Sequence, residues 1–210
     1  MIKKNLRTLI ITSIVILIPI LIGLLLWDRL PDEIPFHWNI KGEVDNWVSK
    51  SVAIFALPAF LLAMQWLCVI ATSADPKKHN HTAKQLTLVF WLVPALSVVL
   101  SAVMYASALG TVVHVDAIMY ILLGLMFIVI GNYMPKCKQS YTIGIRIPWT
   151  LNSEENWNKT HRFAGLVLVV CGFLVMLCGF FNLIWLAISS FAVMALLPII
   201  YSFILYKKGI

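Results

Sequence analysis

Six long apolar runs constrain the fold of this chain more than any other feature. Each run approaches or exceeds the roughly 20 residues that a helix needs to cross a bilayer. They span residues 8–27, 52–73, 86–109, 116–134, 163–181 and 183–206. This pattern predicts an all-α membrane protein with six transmembrane helices. The first run is too long for a signal peptide and no small-residue cleavage site follows it, so we expect it to remain as the first helix.

The distribution of charge predicts the orientation of these helices. The chain is 61% hydrophobic and only 12% charged, with a net charge of +7. Lys and Arg collect on the cytoplasmic side of membrane proteins. With the N-terminus inside, all but three of the 16 Lys and Arg residues fall in inner segments, the exceptions being Arg29, Lys41 and Lys50. Both termini are therefore predicted to be cytoplasmic, and the positive charge is explained without direct binding of nucleic acid.

The apolar runs contain almost no ionisable side chains. Asp116 marks the start of the fourth run, and no other Asp, Glu, Lys, Arg or His lies inside the six. Intramembrane ionisable groups mark proton relays and ion pathways, so their absence argues against a proton-coupled transporter or an intramembrane protease. The four cysteines form no C-x-x-C motif, and neither a disulfide framework nor a zinc site is indicated.

Proline and glycine positions predict how the helices pack. Pro19, Pro58, Pro94 and Pro198 lie inside the first, second, third and sixth helices. Each frees backbone groups that a neighbouring helix must satisfy. A small transporter or exporter with kinked helices remains an alternative function on this ground. Glycines repeat every seven residues in the fourth helix (124, 131) and the fifth (165, 172, 179), which predicts close packing of these two helices along the glycine stripes.

A polar outer loop, residues 28–51, separates the first two helices. Ile34, Phe36, Trp38 and Ile40 alternate with more polar residues, which is typical of a strand with one apolar face. A turn at residues 41–42 would bring residues 44–48 back beside it. The loop is thus predicted to form a small hairpin at the membrane surface.

A second polar segment, residues 135–162, lies between the fourth and fifth helices on the predicted cytoplasmic side. Alternation over residues 141–148 predicts an extended segment, with Arg146 on its polar face. Asn152 and Glu155 resemble a capping box, which predicts a helix that begins at Ser153 and continues into the fifth helix. Trp157 and His161 are four residues apart and are expected on one face of that helix.

The sequence leaves several roles open for Arg146. Its guanidinium group can pair with Glu154 or Glu155, bind carbonyl groups at the end of the fourth helix, or bind a lipid phosphate. An internal contact of this kind is favoured. The functional alternative is a docking surface for a cytoplasmic protein, since exposed Trp and Arg side chains are enriched at such surfaces.

A metal-dependent enzyme on the outer face is a further alternative. His37, Glu43, Asp45, His114 and Asp116 fall on that side, and His with carboxylate can bind zinc. The chain has no H-E-x-x-H motif and no tight ligand spacing. We therefore expect no metal, no cofactor and no catalysis, although metal binding by His37, His114 and Asp116 is not settled by the sequence.

Two stretches resemble a known family. The run IGIRIPWTLNSEENWNKTHRFAG, with GNYMPK before it, is similar to the SdpI family of bacterial membrane proteins. The loop LPDEIPFHWNIKGEVDNWVSK resembles a small domain of unknown function that precedes it in many members. The resemblance implies residues 1–75 as that first domain, 76–115 as a connecting loop with the third helix, and 116–210 as an SdpI-like domain.

The resemblance implies toxin immunity and signalling at a bacterial cell membrane. A secreted peptide toxin would be met on the outer face, and a cytoplasmic winged-helix repressor would be held at the inner face. Membrane lipid is the other expected partner. The cytoplasmic partner-binding residues are expected to be Gly144, Arg146, Pro148, Trp149, Thr150, Trp157, His161 and Arg162. The outer ones are expected to be His37, Asn39, Gly42 and Asp45.

Overall fold

The computed structural model describes residues 5–39, 42–181 and 183–210. Within these residues, six helices are long and apolar enough to cross a membrane, which confirms the predicted class of an all-α, multi-pass membrane protein. The helices are Leu6–Leu25 (α1), Lys50–Ala74 (α2), Ala83–Ala108 (α3), Val115–Tyr133 (α4), the short Pro148–Asn152 (α5), Glu154–Phe181 (α6) and Ile184–Lys207 (α7). The cytoplasmic placement of the termini stays a prediction.

The chain divides into two compact units. The first comprises the described residues of Met1–Ser73 and Thr87–Asp116, which include α1, all but the last residue of α2 and most of α3. The second comprises Ala74–Leu86 and Ala117–Ile210, which include most of α4 and all of α5, α6 and α7.

The first unit carries a β-hairpin, as the period-two pattern of the outer loop predicts. Its strands Glu33–Trp38 (β1) and Val44–Ser49 (β2) pair antiparallel, with Ile34 opposite Val48. Ile34 is fully buried because the apolar face of the hairpin packs on α2 and α3, in a cluster completed by Leu30, Ala53, Ile54, Met104 and Tyr105. Residues 40 and 41, including one half of the predicted turn, lie outside the described residues.

Polar side chains in the first unit satisfy backbone groups that the prolines expose. Pro94 has no N–H and so leaves the carbonyl of Phe90, four residues earlier in α3, without its helical donor. Gln65 of α2 is fully buried, and its Nε2 donates to that carbonyl at 3.0 Å. The same Nε2 donates to Thr12 Oγ1 of α1 at 2.9 Å. This amide therefore connects three helices at the proline kink.

The second unit is built on the close approach of α4 and α6. A Cβ atom placed on Gly165 would lie 2.7 Å from the carbonyl oxygen of Gly131, and one on Gly124 would lie 2.5 Å from that of Gly172. Any larger residue would force the two helices apart. The predicted packing along glycine stripes is confirmed, and it holds both ends of the polar segment 135–162 close together.

Two local predictions in the polar segment are wrong. Residues 141–147 form bends and irregular backbone instead of a strand, because their polar groups bond to side chains and not to a neighbouring strand. Asn152 is the last residue of α5 and not a helix N-cap. The cap is Ser153, whose Oγ accepts a hydrogen bond from the backbone N–H of Asn156 at 3.2 Å.

Candidate functional site

The centre of the polar segment is a stacked Trp–His pair on the first turns of α6. The rings of Trp157 and His161 lie 3.9 Å apart and are 0% and 1% exposed. Their four-residue spacing predicts the shared face. Trp157 Nε1 donates to the carbonyl of Cys137 at 2.7 Å, which anchors the segment that follows α4. Both side chains were predicted to contact a partner, but their burial makes them the core on which the segment folds.

Hydrogen bonds define the protonation state of His161. Its Nδ1 lies 2.8 Å from the carbonyl oxygen of Trp157, which can only accept, so Nδ1 carries the proton. Its Nε2 then accepts from the backbone N–H of Ile145 at 3.0 Å. A neutral imidazole is required for both bonds. His161 lies sixteen residues after Ile145 in the chain, and this hydrogen bond fixes the path of residues 144–147.

The close approach of the chain to the His161 ring requires a glycine at position 144. Its φ of +117° lies in a region that side chains disfavour, and a Cβ there would lie 2.4 Å from His161 Nε2. Glycine at this position therefore meets a requirement of the backbone. Its role is to let the chain pass over the His161 ring.

Thr150 is a second buried anchor of the segment. Its Oγ1 accepts from the backbone N–H of Ile147 at 3.1 Å and lies 2.8 Å from the carbonyl of Ile145. With Pro148 at the first helical position, these bonds begin α5. Thr150 is 0% exposed, so it supports the surface instead of forming it.

Gln139 and Asp75 were missed by the sequence analysis, although the structure places them at the base of the segment. Gln139 Nε2 donates to the carbonyls of Thr150 and Leu151 at 2.9 and 2.8 Å, and its Oε1 accepts from Lys77. Its backbone carbonyl accepts from Asn80 Nδ2 at 2.8 Å. A single polar residue in a loop has no periodic pattern or motif that would mark it in the sequence. Only the fold therefore reveals that Gln139 joins these segments.

Asp75 joins the loop after α2 to the polar segment. Its Oδ2 accepts from the backbone N–H of Tyr141 at 2.9 Å and from Thr142 Oγ1 at 2.7 Å, and its Oδ1 accepts from the N–H of Lys77. Burial alone raises the pKa of Asp75, but these bonds and Ser140 outweigh it and hold the pKa below 3.8. The carboxylate is therefore charged and fully engaged.

His81 lies beside this carboxylate and not in solvent. The His81 side chain is only 2% exposed, and its Nε2 lies 3.4 Å from Asp75 Oδ2. Burial lowers the pKa of His81 below 6.5, despite the opposing effect of the Asp75 carboxylate. The imidazole is consequently neutral at pH 7.

A third residue that the sequence analysis missed, Asn156, connects α6 to α7. It is fully buried, and its Nδ2 donates to the carbonyls of Ser202 and Ile210, each at 3.1 Å. Its Oδ1 accepts from Thr160 Oγ1 and from Ser202 Oγ. All hydrogen-bonding groups of the side chain are thereby used inside the second unit.

The remaining predicted cytoplasmic residues form an accessible face. Arg146, Pro148 and Arg162 are exposed and Trp149 is half-buried. Arg146 Nη1 donates to the carbonyl of Tyr141 at 2.8 Å, an internal contact as favoured above, although neither glutamate is its partner. Glu155 pairs instead with Lys159, at 2.7 Å.

Trp149 lines an open pocket on this face. Its ring stacks on Tyr206 with centroids 5.9 Å apart and lies 5.5 Å from Phe203. The pocket has a volume of about 540 Å³ and is lined by Pro148, Trp149, Asn152, Ser153, Tyr206, Gly209 and Ile210. An apolar side chain of another molecule would fit against the indole.

The predicted outer residues gather at the turn end of the hairpin. His37 Nδ1 lies 2.6 Å from Asp45 Oδ1, an exposed side-chain hydrogen bond. Asn39 and Glu43 share a side-chain hydrogen bond at 3.0 Å and a backbone one at 2.8 Å. Gly42 has a φ of +77°, and a Cβ there would lie 3.3 Å from Asp116.

These contacts bear on the metal-enzyme alternative. Among residues 5–39, 42–181 and 183–210, no group of three His, Cys, Asp or Glu side chains is placed to hold a metal ion. His37 and Asp45 contact each other as a pair of two residues.

Comparison with known proteins identifies the family. Residues 136–202 match the SdpI/YfhL protein family, and residues 14–62 match a domain of unknown function, DUF1648. The chain is 33% identical to the "Immunity protein SdpI" of Bacillus subtilis (strain 168) over 183 residues, which is 86% of this chain and 83% of that protein. No solved structure matches it. The chain therefore belongs to the SdpI family of multi-pass membrane proteins.

Proposed function

We propose that this protein is a membrane immunity protein that protects its cell against a secreted peptide toxin. The observation that carries the proposal is its 33% identity to an immunity protein over 86% of the chain. The role is one of binding, not of catalysis. The outer hairpin, with His37, Asn39, Gly42 and Asp45, would meet the toxin.

The proposal includes a signal at the opposite face. The accessible face of the polar segment would hold a winged-helix repressor at the membrane when toxin is bound. Arg146, Pro148, Trp149 and Arg162 would contact it directly, since these side chains are not buried. Trp157, His161, Thr150 and Gly144 would act indirectly, by holding that face in shape.

Protection is tested by expression in a toxin-sensitive bacterium. Cells that carry the protein should survive a secreted peptide toxin that kills cells with an empty vector. Western blotting of membranes confirms equal expression among variants. If the folded protein gives no protection, the immunity function is wrong for that toxin.

Repressor capture is tested by microscopy. A fluorescently tagged winged-helix repressor encoded near this chain should move to the membrane when toxin is added. Trp149→Ala should reduce this movement and leave membrane expression unchanged. A repressor that stays in the cytoplasm while the cells survive would contradict the signalling half of the proposal alone.

A further inference from the structure

Each strand of the hairpin has one free edge, and the two edges differ in the backbone groups that they present. The backbone N–H of Lys50 donates to the carbonyl of Asp32 at 2.8 Å, and antiparallel pairs alternate between bonded and non-bonded residues. The pairs Ile34–Val48 and Asp32–Lys50 are therefore bonded, and Pro35–Trp47 is not. It follows that the backbone groups of Trp47 and Ser49 point away from β1, toward the free edge of β2.

The two free edges are not equally available. On β1 the outward positions are those of Glu33 and Pro35, and Pro35 has no N–H, so this edge cannot bond a further strand along its length. On β2 no proline intervenes, and four of its six residues are exposed. Within the described residues the sheet has only these two strands. The edge of β2 can thus accept a third.

The side chains along this edge combine an aromatic surface with negative charge. Trp47 is 52% exposed on the face opposite the hydrophobic cluster, and Asp45 precedes it on the same face. Glu33 begins β1 opposite Ser49. Six of the nine acidic residues of the chain fall on the predicted outer side: Asp28, Asp32, Glu33, Glu43, Asp45 and Asp116.

Only three Lys and Arg residues accompany these six carboxylates on the predicted outer side. Lys50 directs its Nζ to the carbonyls of Trp27 and Leu30 at 3.0 and 2.9 Å and lies 3.5 Å from Asp32 Oδ1, while Asp45 Oδ1 lies 2.6 Å from His37 Nδ1. Arg29 and Lys41 are the other Lys and Arg residues of the outer loop. A partner that carries positive charge is therefore electrostatically matched to this edge.

We propose that the free edge of β2 binds an extended segment of a cationic, amphipathic peptide as a third strand. Backbone bonds to Trp47 and Ser49 would hold the segment, which is the general mode of strand addition. An apolar side chain of the peptide would cover Trp47, and a Lys or Arg would pair with Asp45 or Glu33. The inference rests on the proposed function, and it specifies the chemistry of the toxin.

Binding can be measured without the natural toxin. The full protein is placed in nanodiscs of zwitterionic phosphatidylcholine, which does not attract cationic peptides, and titrated with a synthetic peptide of alternating lysine and valine. The proposal expects saturable binding of this peptide and none of the matched glutamate–valine peptide. N-methylation of alternate residues in the lysine peptide preserves its charge but removes amide donors, and should abolish binding.

Variants of the protein that remove negative charge provide a second test of the proposed binding edge. Glu33→Gln with Asp45→Asn should weaken binding by about three- to tenfold, the range expected for two exposed ion pairs. Glu154→Gln with Glu155→Gln removes the same charge from the other unit and should leave binding unchanged. Equal binding of the N-methylated peptide, or equal effects of both double variants, would overturn the proposal.

The alternative role of Trp47 is that of a lipid anchor, and the same nanodiscs test it. Brominated lipids quench tryptophans in the bilayer, so Trp47→Phe should leave the fluorescence intensity lost to quenching unchanged if Trp47 faces solvent. A clear fall in that lost intensity would assign Trp47 to the membrane and overturn the docking site.

A survival assay separates this inference from the proposed function. If wild type protects and Glu33→Gln with Asp45→Asn protects equally well, the edge site is wrong while immunity stands. If wild type itself does not protect, immunity fails, and the nanodisc titration still decides whether the edge binds cationic strands.

Discussion

The backbone N–H of Ile145 donates to Nε2 of His161 at 3.0 Å, so a helical side chain determines the path of an irregular loop. His161→Ala would leave this partly buried N–H without an acceptor and would also remove the ring stacked on Trp157. We expect a loss of about 2–4 kcal/mol in the free energy of unfolding. Thermal unfolding in one detergent measures it. The exposed His79→Ala is the control, and equal melting of the two variants would show that His161 is not an anchor.

Gly144→Ala should be more harmful than alanine at another glycine with positive φ. The new Cβ would lie 2.4 Å from His161 Nε2 and also impose strain at φ +117°. We expect a destabilisation of about 2–4 kcal/mol. Gly110→Ala is the matched control, because its φ is +80° but nothing lies within 4 Å of the added Cβ. Similar melting temperatures would mean that the close approach to His161 has no cost.

Gln65 and Pro94 should behave non-additively. Gln65→Leu alone leaves the Phe90 carbonyl without a donor and should cost about 1 kcal/mol. Pro94→Ala restores an N–H to α3, which can then donate to Phe90 itself, so the double variant should lose less than the two single variants together. Unfolding of all four proteins in mixed micelles gives the coupling energy. Strict additivity would contradict the assignment of Gln65 as partner of the freed carbonyl.

Stability should fall as the pH is lowered through two separate windows. The folded pKa of His81 lies below 6.5, so the unfolded chain takes up this proton first, and stability is lost as the pH falls below 6.5. The folded pKa of Asp75 lies below 3.8, so its contribution is present above that pH and is lost as the pH falls through the folded pKa.

Substitutions of His81 and Asp75 test which residue causes the loss of stability in each pH range. His81→Gln should reduce the slope of melting temperature against pH just below 6.5, and Asp75→Asn should reduce the slope below about pH 4 while lowering stability at pH 7. His114→Gln, at an exposed position in the first unit, is the reference for the first window. A slope that is unchanged in His81→Gln would show that burial does not disfavour the charged imidazole.

Arg146→Ala should impair repressor capture or folding more than Arg162→Ala. Arg146 bonds to the carbonyl of Tyr141 and shapes the exposed loop, but its exposure limits the stability change to about 1 kcal/mol. The larger effect is therefore expected in recruitment of the repressor, measured by microscopy at equal membrane expression. Negligible effects of both variants would mean that the segment is only a connector.

The sequence by itself determined the class of fold, because crossing a bilayer requires long apolar helices that carry their own signature in composition. It also determined the α4–α6 contact, since glycines at a spacing of seven occupy one stripe wherever the helix is placed. The hairpin followed from alternation of Ile34, Phe36 and Trp38, and the Trp157–His161 pair followed from helical spacing.

Only the tertiary structure decided which polar residues organise the segment between α4 and α6. Asp75, Gln139 and Asn156 bond to backbone groups up to 66 positions away, and such contacts leave no periodic trace. The predicted strand over residues 141–147 failed because alternation indicates two faces, not a neighbouring strand. Likewise, Trp157 and Thr150 look like surface candidates in sequence, but packing between elements buries them, and burial is a property of the fold.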